Sequence, residues 1–137
     1  MSVKPVVLIA AGLALQGVST RATADEQWYS NYGDVIYEDD YGALAVLSFP
    51  GSHPGRPSFL YIDGLGGNYD NRGTFNGVWL AQEEGPCGPM LGDNGAESTL
   101  WGRATVTFDY SGYPSGFEAA LYDCHGEYFD TMSAEPY

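Results

Sequence analysis

Two cysteines, two histidines and eighteen carboxylates are the side chains here that could carry a reaction or hold a metal. Cys87 and Cys124 stand far apart, without the C-x-x-C spacing of a redox pair. His53 lies in a Pro/Gly-rich segment with no acid close by in sequence, and no G-x-S-x-G elbow or H-E-x-x-H pair accompanies either histidine. The single lysine is Lys4, so the body of the chain has no amine for Schiff-base chemistry. A carboxylate pair such as Asp109 and Glu118, facing across a hairpin, would suit glycoside hydrolysis. A chain this acidic makes such pairs by chance. The expectation is a non-enzymatic protein. A small hydrolase built on His53, His125 or two acids in a cleft is an alternative.

Metal chemistry has one candidate segment. Residues 63–71 (DGLGGNYDN) concentrate oxygen donors and glycine, with Asp63, Asn68 and Asp70 as possible ligands. Calcium takes six to eight oxygens and suits such a loop. The order is not that of an EF-hand, however, and Asp, Asn and Gly also build ordinary turns for backbone reasons. His125 follows Cys124, but zinc needs about four ligands and no further Cys/His cluster exists. No cofactor is expected, with calcium as the alternative.

Aromatic residues are the third resource. The chain has 11 Tyr, 6 Phe and 3 Trp, all beyond residue 24. Rigid rings with a polar edge suit recognition of small molecules, glycans or proteins. They also fill the core of a glycine-rich sheet. Trp28, Tyr32, Trp79 and Trp101 are the ligand-binding candidates if they line a pocket.

The compartment governs how these groups are read. Lys4, the apolar run VVLIAAGLAL at 6–15 and the small residues Ala22-Thr23-Ala24 before Asp25 have the layout of a secretory signal peptide. A run of ten is short of the roughly 20 apolar residues of a membrane span. The expected division is a signal peptide at 1–24 and a single β domain at 25–137, secreted or periplasmic and bacterial. In an oxidising compartment an isolated cysteine pair is expected to be a disulfide, Cys87–Cys124, worth roughly 4 kcal/mol in the chain-entropy model. Removing the leader takes Lys4 and Arg21 and leaves Arg56, Arg72 and Arg103 against eighteen acids, a net charge of −15. That charge repels nucleic acid and anionic membranes and favours cationic partners.

The elements that must position these residues are strands. Glycine and proline are frequent throughout the body of the chain, which argues against helices. Apolar runs predict strands over 28–37, 43–49, 59–63, 74–82, 100–110 and 117–124. Glu38 to Gly42 reads as a charged turn, 50–57 (PGSHPGRP) and 64–73 as loops, 83–95 as mostly turn with Asp93-Asn94-Gly95 suited to a hairpin tip, and the tail from Glu127 as loosely held. The clearest alternation runs through 102–110, with Gly102, Ala104, Val106, Phe108 and Tyr110 on one face and Arg103, Thr105, Thr107 and Asp109 on the other. Six to eight short strands at this spacing mean a small antiparallel β-barrel or a β-sandwich. Trp101-Gly102 favours the barrel, since glycine permits tight coiling and leaves room for a neighbouring ring.

The opening W-x-S-N-Y-G (Trp28 to Gly33), followed by Gly42-Ala43-Leu44, resembles the first strands of small secreted bacterial β-barrels, the avidin-like proteins among them. Gly77-x-Trp79 and Trp101-Gly102-Arg103 resemble the Gly/Trp signals of later strands in such barrels. The resemblance implies the barrel. It does not extend to biotin binding, because the later tryptophan segments differ from the avidin biotin-site motifs. The resulting expectation is a secreted protein that binds a small or surface ligand through an aromatic-lined barrel. The alternative binding role is an acidic inhibitor or adaptor docking on a cationic protein.

Overall fold

The computed structural model describes residues 26–137, so the predicted signal peptide lies outside the described residues. The described chain forms ten strands and no helix: β1 (Gln27–Ser30), β2 (Gly33–Tyr41), β3 (Leu44–His53), β4 (Arg56–Asp63), β5 (Thr74–Ala81), β6 (Met90–Leu91), β7 (Glu97–Ser98), β8 (Leu100–Phe108), β9 (Phe117–Tyr122) and β10 (Tyr128–Pro136). Eight of them close into an antiparallel barrel in the order β1-β10-β9-β8-β5-β4-β3-β2, and β6 and β7 form a separate hairpin. The barrel, not the sandwich, is the architecture.

Period-two alternation fills the interior. On β8, Gly102, Ala104, Val106 and Phe108 are buried while Arg103 and Thr107 are exposed. On β3 and β4 the inward series are Ala45, Leu47, Phe49 and Ser58, Leu60, Ile62. Fully burying an aliphatic side chain of this size contributes roughly 1.5–3 kcal/mol, so this row is a large part of what holds the barrel shut. The expected use of Gly102 is realised. It pairs with Trp79 across β5–β8, and a Cβ there would lie 2.7 Å from the Trp79 Nε1 and 1.7 Å from the Tyr122 carbonyl oxygen. Only glycine leaves that space, which the indole uses to donate a 2.7 Å hydrogen bond to the Tyr122 carbonyl.

The segment between β5 and β8 is an excursion across the outer barrel face. Its hairpin covers a second apolar cluster, with Val46, Tyr61 and Leu80 buried and Met90 and Trp101 packed against them. Tyr61 donates to the Asn94 amide oxygen at 2.7 Å, and Trp101 Nε1 donates to the Gly88 carbonyl at 2.6 Å. Gly95, at φ 90°, closes the hairpin where Asp93-Asn94-Gly95 was expected to turn. The Cys87–Cys124 disulfide, with Cα atoms 5.6 Å apart, ties this excursion to the turn after β9.

Several local expectations are corrected. Residues 28–37 are not one strand but parts of two, because the chain reverses at Asn31-Tyr32. The supposed charged turn lies within β2, whose outward positions accommodate the acids. A bulge between Tyr37 and Asp39 takes up the slip in register. Residues 50–57 complete a hairpin whose tip is Pro54-Gly55. Tyr110 lies past the end of β8 and is exposed. The tail is the largest correction: β10 pairs with both β9 and β1, and it closes the barrel. Its polar residues face water while Met132 and Ala134 are buried. Too few apolar residues remained to mark it as a strand.

Candidate functional site

The two ends of the barrel differ. At the end carrying the β4–β5 and β8–β9 connections, Arg72 is 2 % exposed and Glu26 is 6 % exposed. The guanidinium donates two parallel hydrogen bonds to the Glu26 carboxylate, at 2.9 and 2.8 Å, and a third from Nε to the Asn68 carbonyl at 3.0 Å. Its centre lies 5.2 Å from the Phe108 ring centroid and 5.3 Å from that of Tyr69. Leu65 is fully buried beneath the same loop. Trp28 is also fully buried and donates to the Ser115 carbonyl at 2.8 Å. This end is plugged by a satisfied ion pair and packed rings.

The other end, where the β1–β2, β3–β4 and β9–β10 turns lie, holds a cavity of about 320 Å³. That volume falls at the small end of ligand cavities. Tyr32, Phe49, Trp79 and Phe129 contribute rings to its wall, with Leu121, Ser58, Ser52 and Glu83 also lining it. The rings pack edge to face in two pairs, Tyr32–Phe49 at 6.0 Å and Trp79–Phe129 at 5.5 Å between centroids. Phe129 reaches this place through a bulge. The register of β10 slips between Tyr128 and Asp130, so Phe129 is the extra residue, and its half-exposed ring lies against Trp79.

Polar groups at this end are ordered. The Tyr32 hydroxyl donates to the Asp130 carboxylate. Burial first, then this bond to an anion, pushes the Tyr32 hydroxyl up to about 12. The same bond holds Asp130 below the usual carboxylate range. Ser52 Oγ donates to Glu83 Oε2, and the buried Ser98 hydroxyl lies within hydrogen-bond reach of the Ala81 and Glu83 carbonyls. Ser58 is 4 % exposed, and its hydroxyl has no hydrogen-bond partner among the described residues.

Of the aromatic candidates, Tyr32 and Trp79 meet in this cavity, whereas Trp28 sits in the core near the plugged end and Trp101 on the outer face under the hairpin. Phe49, Ser58, Glu83 and Phe129 are added by the structure. Phe49 was visible as the end of an inward series with Ala45 and Leu47, and Ser58 continues the phase of Leu60 and Ile62. Phe129 had no such signal, since a bulge breaks the alternation. In the candidate loop of Asp63, Asn68 and Asp70, Asn68 spends its amide on the Asn71 carbonyl and backbone N–H, and among the described residues no three His, Cys, Asp or Glu cluster to hold a metal. His53 is exposed at the end of β3 and His125 is exposed in the turn after β9, and neither ring is hydrogen-bonded among the described residues. Glu118 pairs with Thr107 on the sheet, while Asp109 lies beyond the end of β8.

No family model matches this chain, and no solved structure matches it.

Proposed function

We propose that this is a secreted, non-enzymatic binding protein that holds a small ligand in the aromatic mouth of its barrel. The observation that carries the reading is the cavity formed by Tyr32, Phe49, Trp79 and Phe129, with the buried Ser58 hydroxyl, unpartnered among the described residues, at its wall. Apolar walls with a few placed polar groups are what small-molecule sites present. Eight paired strands provide a rigid frame, so the rings are held in place before a ligand arrives and little ordering cost falls on binding. Secretion is supported by the leader sequence and by the Cys87–Cys124 disulfide. Among the described residues, no helix is long and apolar enough to cross a membrane.

The test is an NMR titration of the 25–137 domain, which contains the whole barrel and its disulfide, with benzylamine, benzyl alcohol and benzoate. These share one ring and differ in charge. At least one should shift the resonances of Tyr32, Phe49, Ser58, Trp79 and Phe129 together. Shifts confined to the plugged end or to the outer hairpin, or none with any probe, would overturn the reading.

A further inference from the structure

We infer that the occupant of this mouth is a small organic cation, an ammonium or quaternary ammonium group on a compact apolar body. The inference rests on the binding reading above and names the ligand class for the same site. An ammonium is attracted to the negative face of an aromatic ring, and it gains most where several rings line one desolvated site. Tyr32, Phe49, Trp79 and Phe129 provide four rings around one cavity. Rings alone also accept neutral apolar molecules, so the preference for charge must come from elsewhere.

Glu83 supplies it. Its backbone N–H donates to the Ala81 carbonyl at 2.8 Å. Ser52 orients the carboxylate through Oε2, which leaves Oε1 without a partner among the described residues. The only ion pair among the described residues is Arg72–Glu26, at the opposite end. Arg56, the one strong base at the start of β4, lines the neighbouring groove with Glu83 but makes no ion pair with it. A fixed, unpaired carboxylate beside aromatic rings is complementary to a cation. The connections at this end add Glu84, Asp123 and Glu127, and the start of β10 adds Asp130, so the field at the mouth draws cations in.

Ser58 is the second, independent pointer. Buried hydroxyls are nearly always hydrogen-bonded, yet this one lines the cavity with no partner among the described residues. A hydroxyl or carbonyl on the body of the ligand would satisfy it while the cationic head lies among the rings. At about 320 Å³, the cavity admits a molecule of the size of choline or a simple aryl amine.

Calorimetric titration of the 25–137 domain with choline, and with its neutral isostere 3,3-dimethylbutan-1-ol, tests the inference. Choline should bind about tenfold or more tighter, and its Kd should weaken as salt rises. Glu83→Gln, at a partly exposed position where folding should survive and a thermal melt will verify it, should remove most of that preference while leaving the alcohol unchanged. Phe129→Leu should weaken choline more than the alcohol. Equal affinities for the two probes, or a preference untouched by Glu83→Gln, would overturn the cation while leaving an aromatic pocket standing. Binding of neither probe also overturns it. Whether the pocket itself survives is then decided separately by the benzyl series.

Discussion

The two ends of this barrel solve the same problem in opposite ways. Each must keep water from the interior row of aliphatic and aromatic side chains. The plugged end does so with Arg72, whose charge is matched by Glu26 in a bidentate pair and whose faces are covered by rings. The open end does so with four rings, a serine and a carboxylate around a cavity. At the plugged end the Arg72 guanidinium and both oxygens of the Glu26 carboxylate have partners. At the mouth, Ser58 and one oxygen of Glu83 have none among the described residues. A satisfied end stabilises, and an unsatisfied end is available to a ligand.

The largest test of this contrast is Arg72→Met. It leaves the Glu26 carboxylate buried and alone, and breaking a buried pair in this way costs about 3–5 kcal/mol. Chemical denaturation should show that loss, and the double variant Arg72→Met with Glu26→Leu should recover most of it, because two apolar groups need no partners. Recovery failing would mean that the pair contributes more than mutual neutralisation. Replacing both cysteines by alanine comes next. It frees the excursion from the β9–β10 turn and should cost about 2–4 kcal/mol by denaturant midpoint. The mouth is then expected to lose order before the plugged end does, which hydrogen exchange can read.

Smaller effects belong to the mouth. Trp79→Phe removes the indole hydrogen bond to the Tyr122 carbonyl and should cost about 1–3 kcal/mol, since that carbonyl is left partly unpaired. Ser58→Ala should change stability by less than about 0.5 kcal/mol, because no bond is lost. A clearly larger loss would show that this hydroxyl has a structural partner and is not waiting for a ligand.

Alkali provides a further comparison. Burial, reinforced by the bond to Asp130, raises Tyr32 to about 12, and burial raises Tyr61 under the hairpin to a similar value. In the unfolded chain both ionise near 10. The folded state therefore keeps its protons longer than the unfolded state, so stability is unaffected below about pH 10 and falls as pH rises from there towards 12. Ultraviolet titration should show the two ionising late, and Tyr32→Phe should remove one late step. A Tyr32 that ionises near 10 would mean that neither its burial nor its bond to Asp130 persists in solution.

Much of the frame was legible because strand alternation is local. The 102–108 series, the 45–49 series and the hairpin tip at Gly95 are all written in neighbouring residues, and the barrel followed from strand count and the Trp101-Gly102 step. The candidate site was only half legible. Tyr32 and Trp79 meet, but Trp28 and Trp101 lie elsewhere, since each faces whichever side its own strand's phase and its neighbours dictate. The closing strand β10 was missed because its signal is two buried residues, Met132 and Ala134, set among polar ones.

By itself the amino-acid sequence determined an acidic, disulfide-capable, all-β chain rich in aromatic residues. Composition and period-two spacing are properties of short stretches, and they survive without knowledge of any partner strand. Only the tertiary structure decided which end is sealed and which is open. Glu26 and Arg72 are 46 positions apart, the cavity collects residues from Tyr32 to Phe129, and the bulge that turns Phe129 onto Trp79 exists only in the pairing of β10 with β9. Those meetings depend on the register between strands distant in the chain, which no local pattern records.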